Sequence, residues 1–165
     1  MKYFITIVII AGCTLSLRPT EIFNFAHRRY QKLEEYQDRF TIKVNRFENK
    51  RQISYQITGK TFYKKPNLAI ELEGLSDSLS EPILFAPRIF LTLEYLKFTT
   101  NGVYLGTRLE DGRMVYKLRT ENNCYRIDWT IDCETGMVYR MIITVEDPTT
   151  SYHIDERYSV LLIKP

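Results

Sequence analysis

The sequence predicts an α+β fold: a curled antiparallel sheet of about eight strands, an incomplete β-barrel, covered by two helices. Three observations carry this. Apolar residues alternate with polar ones in run after run, the period of a half-buried strand, and turn residues separate the runs. Two other windows repeat their apolar residues every three to four positions, as helices do. Aromatic content is 13%, with twelve Tyr and nine Phe, which suits pleated faces. The 165 residues suffice for one domain with a substantial core and not for two.

The chain opens with Met1-Lys2, an apolar run from Tyr3 to Ile10, and Ala11-Gly12-Cys13. A positive start, a short apolar run and small residues form an export signal. The run is shorter than the roughly 20 residues a membrane span needs. Ile10-Ala11-Gly12-Cys13 is similar to the lipobox of bacterial lipoproteins, which would make residues 1–12 a removed signal peptide, Cys13 the lipid attachment point and 13–19 a tether. The alternative is an ordinary secretory signal. Residues 20–165 form the domain.

Pro19-Thr20 announces the first helix, with Thr20 as N-cap and Glu21 in its first turn. Ile22, Ala26, Tyr30, Leu33, Tyr36 or Gln37, and Phe40 recur on one face, which predicts a stripe laid over the concave side of the sheet. His27 falls on the polar face. From Arg39 the period becomes two: Phe40, Ile42 and Val44, then Ile53, Tyr55 and Ile57 beyond a turn at Asn49-Lys50. Thr61 to Tyr63 continues or follows that second strand. Pro66 interrupts, and Leu68, Ile70 and Leu72 make a third.

Gly74 to Glu81 reads as a loop, and Ala86-Pro87 opens a second helix striped by Ile89, Phe90, Leu93 and Leu96. Strands return at Gly102 to Leu109, Met114 to Thr120, Cys124 to Asp132, Met137 to Glu146 and Ser151 to Leu162. Glu110-Asp111-Gly112, Asn122-Asn123, Glu134-Thr135-Gly136 and Asp147-Pro148 separate them. Four successive hairpins predict an antiparallel meander.

Phe40-Thr41-Ile42-Lys43-Val44, Gly59 to Tyr63 and Lys64-Lys65-Pro66-Asn67-Leu68 resemble the N-terminal half of the LolA-like periplasmic lipoprotein carriers. Asp128-Trp129-Thr130-Ile131-Asp132, Glu134-Thr135-Gly136, Met141 to Glu146 and Thr149-Thr150-Ser151-Tyr152 resemble its C-terminal meander. The resemblance implies a half-barrel with a helical lid, enclosing an apolar cavity that shelters acyl chains. It also places Lys65 at the position of a gating basic residue, at the cavity rim. A lysine lacks the planar donor fork of arginine. About one hairpin of the family pattern is missing after the third strand, so a membrane-attached relative fits better than a soluble carrier.

An acyl-chain site must be concave and mostly apolar. The sheet residues expected to line it are Phe40, Ile42, Val44, Tyr55, Ile57, Phe62, Leu68, Ile70, Trp129, Ile131 and Met141, with Leu93 from the second helix; the competing reading makes most of them plain core.

Other chemistries find little footing. Net charge is +3, with 23 basic and 20 acidic residues unsegregated, so nucleic acid is not implied. His27 and His153 read as solvated, and no nucleophile elbow or phosphate loop joins them. Asp128, Asp132, Glu134 and Asp155 lie near strand ends, where carboxylates serve turns. Cys124 and Cys133 bracket one strand and so stand roughly 30 Å apart, against the roughly 7 Å that a disulfide spans. They are expected to be unpaired unless that strand is broken. No catalytic residue, metal site or cofactor is implied. The expectation is an exported lipoprotein of a bacterial envelope, anchored to a membrane, that binds or transfers lipid or lipoprotein acyl chains. The alternative is a non-catalytic structural or interaction partner of an envelope protein.

Overall fold

The computed structural model describes residues 17–48, 50–73, 102–123, 125–146 and 150–165. One helix, α1 (Pro19–Gln31), precedes eight strands: β1 (Glu35–Glu48), β2 (Arg51–Lys64), β3 (Asn67–Glu73), β4 (Val103–Glu110), β5 (Arg113–Glu121), β6 (Tyr125–Asp132), β7 (Val138–Glu146) and β8 (Thr150–Lys164). They form one sheet in the order β3-β2-β1-β8-β7-β6-β5-β4, every described pairing antiparallel. The sheet is open, with β3 and β4 at its edges. The hairpins from β4 to β8 are the predicted meander. The pairing of β1 with β8 brings the first and last strands together at the centre.

The signal peptide, Cys13, the loop after Glu73, the second helix with Leu93, and Cys124 lie outside the described residues. One helix, not two, is present among those described.

The first helix is shorter than its stripe suggested. Arg18, not Thr20, is the N-cap, Pro19 takes the first helical position, and the backbone N–H of Arg18 donates to Glu21 Oε2 at 3.0 Å. The helix ends at Gln31, so Leu33 lies in the link to β1, and Tyr36 and Phe40 belong to that strand. The β1 side chains at 36, 38, 40, 42 and 44 are all buried. One of them is Asp38, and a charge at a strand's inward position let the helical period run on through it.

Ile22, Phe23, Ala26 and Tyr30 form the buried face of α1. Phe23 meets Trp129 edge to face, with ring centroids 5.6 Å apart. The backbone N–H of Val138 donates to Tyr30 Oη at 3.0 Å, fixing the end of the helix on β7. At the turn before β7, Gly136 has φ +74°, and a side chain there would collide with Phe25 and Arg29 of the helix. Gly59 has another reason to be glycine: it faces Phe40 across β1 and β2, and an added Cβ would stand 2.5 Å from that ring.

Candidate functional site

The strand registers sort the predicted lining residues into three sets. Side by side on consecutive strands stand Ile57, Ile42, Glu156, Met141, Trp129 and Leu118, a row crossing the concave face. Its apolar members are 0 to 2% exposed, as are Phe40 and Ile131. These residues are packed core. Phe40, Ile42, Ile57, Trp129, Ile131 and Met141 therefore do not line an open pocket, because Phe23, Ala26 and their neighbours on α1 fill the space above that half of the sheet.

Phe62 is on the other face. The 14 residues of β2 are one uninterrupted strand, so the alternation set by Ile57 places Thr61 and Tyr63 inward and Phe62 outward, opposite Gln37 and Ala69. There it lines a cleft of about 400 Å³ at the β2–β3 edge with Glu35, Tyr63, Lys64, Asn67 and Leu68. Lys65 sits in the turn between β2 and β3, where its Nζ donates to Glu34 Oε1 at 2.9 Å and its backbone N–H to the Glu34 carbonyl. That ion pair ties the turn to the link between α1 and β1.

Farther from α1 the concave face opens. The next row across the sheet is Tyr55, Val44, Ile154, Ile143 and Ile127, and the one beyond it is Ile53, Arg46, Tyr152, Val145 and Tyr125. Ile127 is 2%, Val44 5% and Ile143 9% exposed, so these three are buried; Tyr55, Ile154, Tyr152, Val145 and Tyr125 are half-buried, and Ile53 reaches 49%. Apart from Arg46, these two rows are an apolar strip across five strands, about 19 Å wide at the usual strand spacing. Of the predicted residues, Val44 and Tyr55 belong to it. Leu68 and Ile70 are half-buried on the same face near the β3 edge.

Three polar residues missed by the sequence reading share the buried concave face: Asp38, Thr61 and Glu156, exposed by 2, 1 and 6%. Tyr36 donates to Asp38 at 2.7 Å and Tyr158 to Glu156 at 2.5 Å. Burial pushes the Tyr36 phenol well above its ordinary value, and the charge of Asp38 adds to it, so it stays a donor. Burial likewise raises Tyr30. Trp129 donates to Thr120 at 2.9 Å. The signal that could have found the two acids is their parity: each occupies an inward position of an alternating strand.

Asp128 is held by Arg119 at 2.5 Å and Asp155 by Arg140 at 2.7 Å, while Asp132 Oδ1 accepts the backbone N–H groups of Glu134 and Thr135. Cys133 is a free thiol. His153 is exposed, but His27, expected in solvent, is half-buried with Nε2 closed off and without a hydrogen-bond partner. No group of three or more metal-binding side chains occurs among the described residues, and no described helix is long and apolar enough to cross a membrane.

No family model matches the sequence, and no curated protein matches it. The fold is similar to that of several solved structures. LprF from Mycobacterium bovis is 10% identical with a TM-score of 0.44, the match covering 85% of this chain and 90% of that one. The lipoprotein LppX from Mycobacterium tuberculosis is 9% identical with a TM-score of 0.42, covering 85% and 92%. A LolA superfamily protein from Nitrosomonas europaea is 11% identical with a TM-score of 0.36, covering 90% and 95%.

Proposed function

We propose that this chain is an exported lipoprotein, tethered to a bacterial membrane through Cys13, that binds acyl chains on its concave sheet face without covalent chemistry. The observation that carries the reading is the strip in which Tyr55, Ile154, Val145 and Tyr152 stay half-buried around the buried Val44 and Ile143. Among the described residues, α1 packs on the rows around Trp129 and Leu118, and the strip lies beside them. The site is therefore moved from the residues the sequence suggested to the two rows beside them. Each fully buried CH₂ of an acyl chain contributes about 0.8 kcal/mol, so affinity should rise with the length of chain the strip covers.

Two experiments test the proposal. Ile154→Glu places a charge in the strip, away from Trp129 and Phe23, and should abolish binding of a fluorescent fatty acid while the far-ultraviolet spectrum is retained. Undiminished binding would remove the strip from the site. Cys13→Ser should release the protein from the membrane fraction, and unchanged membrane association would disprove the anchor.

A second reading rests on edge strand β4. Val103, Leu105 and Leu109 are 54, 42 and 70% exposed there, which suits docking of another envelope protein. Charged replacements at Leu105 and Leu109 would disrupt such a complex and leave fatty-acid binding intact.

A further inference from the structure

The apolar strip ends in an ordered pair of opposite charges. Arg46 and Glu48 follow Val44 at the inward positions of β1, so passing along the strand from the strip one meets a guanidinium first and a carboxylate two residues, about 7 Å, later. Arg46 Nη2 donates to Glu48 Oε2 at 2.6 Å, and the guanidinium lies over the Tyr152 ring, 5.8 Å from its centroid. The side chain of Arg46 is 16% exposed and that of Glu48 38%. The inner charge is thus positive and enclosed, and the outer carboxylate is wetter, with Arg51 of β2 at the register position across from it.

That order matches one class of lipid headgroup. In a phospholipid the phosphate is next to the glycerol and its acyl chains, and in a zwitterionic headgroup the ammonium is farther out. With acyl chains on the strip, the phosphate falls to Arg46, whose planar fork suits its oxygens, and the ammonium to Glu48. A purely anionic headgroup would meet the carboxylate unfavourably. We infer that the chain selects phospholipids with a zwitterionic headgroup, phosphatidylethanolamine being the type, over anionic ones through the Arg46–Glu48 pair. The inference rests on the acyl-chain reading above and adds the substrate class.

The test uses the full chain and two fluorescent phospholipids with matched acyl chains, phosphatidylethanolamine and phosphatidylglycerol, offered in phosphatidylcholine vesicles. Uptake of the ethanolamine lipid should exceed that of the glycerol lipid roughly tenfold, the equivalent of one charge-assisted hydrogen bond. Exchanging the charges, Arg46→Glu with Glu48→Arg, keeps an ion pair but reverses its order, and should erase the preference. Glu48→Gln, which removes the negative charge that would hold the ammonium, should reduce it even where the double variant folds poorly. Equal uptake of the two lipids by the natural protein, or a preference that survives both variants, would overturn the headgroup inference and leave the acyl-chain site standing. Uptake of neither lipid, together with no binding of a free fatty acid, would overturn the site itself.

Discussion

Replacing Phe23 by alanine removes the side chain by which α1 is locked to the sheet. Phe23 is 2% exposed and packs edge to face on Trp129, itself 1% exposed. Truncating a fully buried phenylalanine costs about 3 to 5 kcal/mol, the lost transfer energy plus the cavity left behind. In a domain of this size each kcal/mol lowers the melting temperature by about 2 to 4 °C, so a fall of about 6 to 20 °C is expected. Phe25, two positions on, provides the internal comparison. It is half-buried beside Gly136 with the Arg29 guanidinium 5.4 Å from its ring centroid, and its loss should cost at most about 1.5 kcal/mol. Calorimetric or circular-dichroism melting of the two variants measures both. A Phe23→Ala loss below about 1 kcal/mol, or equal losses at the two positions, would show that α1 does not seal this half of the sheet as described.

Gly59→Ala puts a methyl group against the Phe40 ring and the Glu71 carbonyl; overpacking of this kind costs about 1 to 3 kcal/mol, read as a lower denaturant midpoint, and an unchanged midpoint would refute the close approach. Asp155 gives a pH-dependent prediction. Burial works to raise its carboxyl, but the hydrogen bonds and charge of Arg140, with Arg157 beside it, hold it net below the ordinary value. A depressed folded value means stability that is present above the unfolded value near 3.9 and lost as pH falls through the folded one. Asp155→Asn should therefore cost about 1 kcal/mol at neutral pH, with the difference from the natural protein closing in strong acid. A difference independent of pH would refute the linkage.

The strands were legible because their physics is local. Met114 to Thr120 and Met137 to Glu146 are β-branched and aromatic runs that start or end at glycine- or asparagine-bearing turns, so the meander could be read directly, as could the reversal at Pro66. What misled was parity. Asp38 and Glu156 occupy inward positions that apolar residues usually hold, and they are tolerated because Tyr36 and Tyr158 donate to them. An acid at such a position hides the first turns of β1 inside an apparent helix. Phe62 was assigned to the wrong face for a related reason: whether Thr61 to Tyr63 continued β2 could not be decided locally, and continuity fixes the parity of each residue. Core and binding surface were not separable in the sequence either. Trp129 and Tyr152 carry the same alternation, and among the described residues it is α1 that packs on Trp129 while Tyr152 stays half-buried.

The central claim is that the strip from Tyr55 to Val145 holds acyl chains. Native mass spectrometry of the full chain after mild extraction from membranes tests it most directly. The natural protein should carry adducts of phospholipid or fatty-acid mass, and Ile154→Glu, folded and extracted identically, should fly without them. A natural protein that appears only at its bare mass, or adducts that persist at equal abundance in Ile154→Glu, would contradict the account.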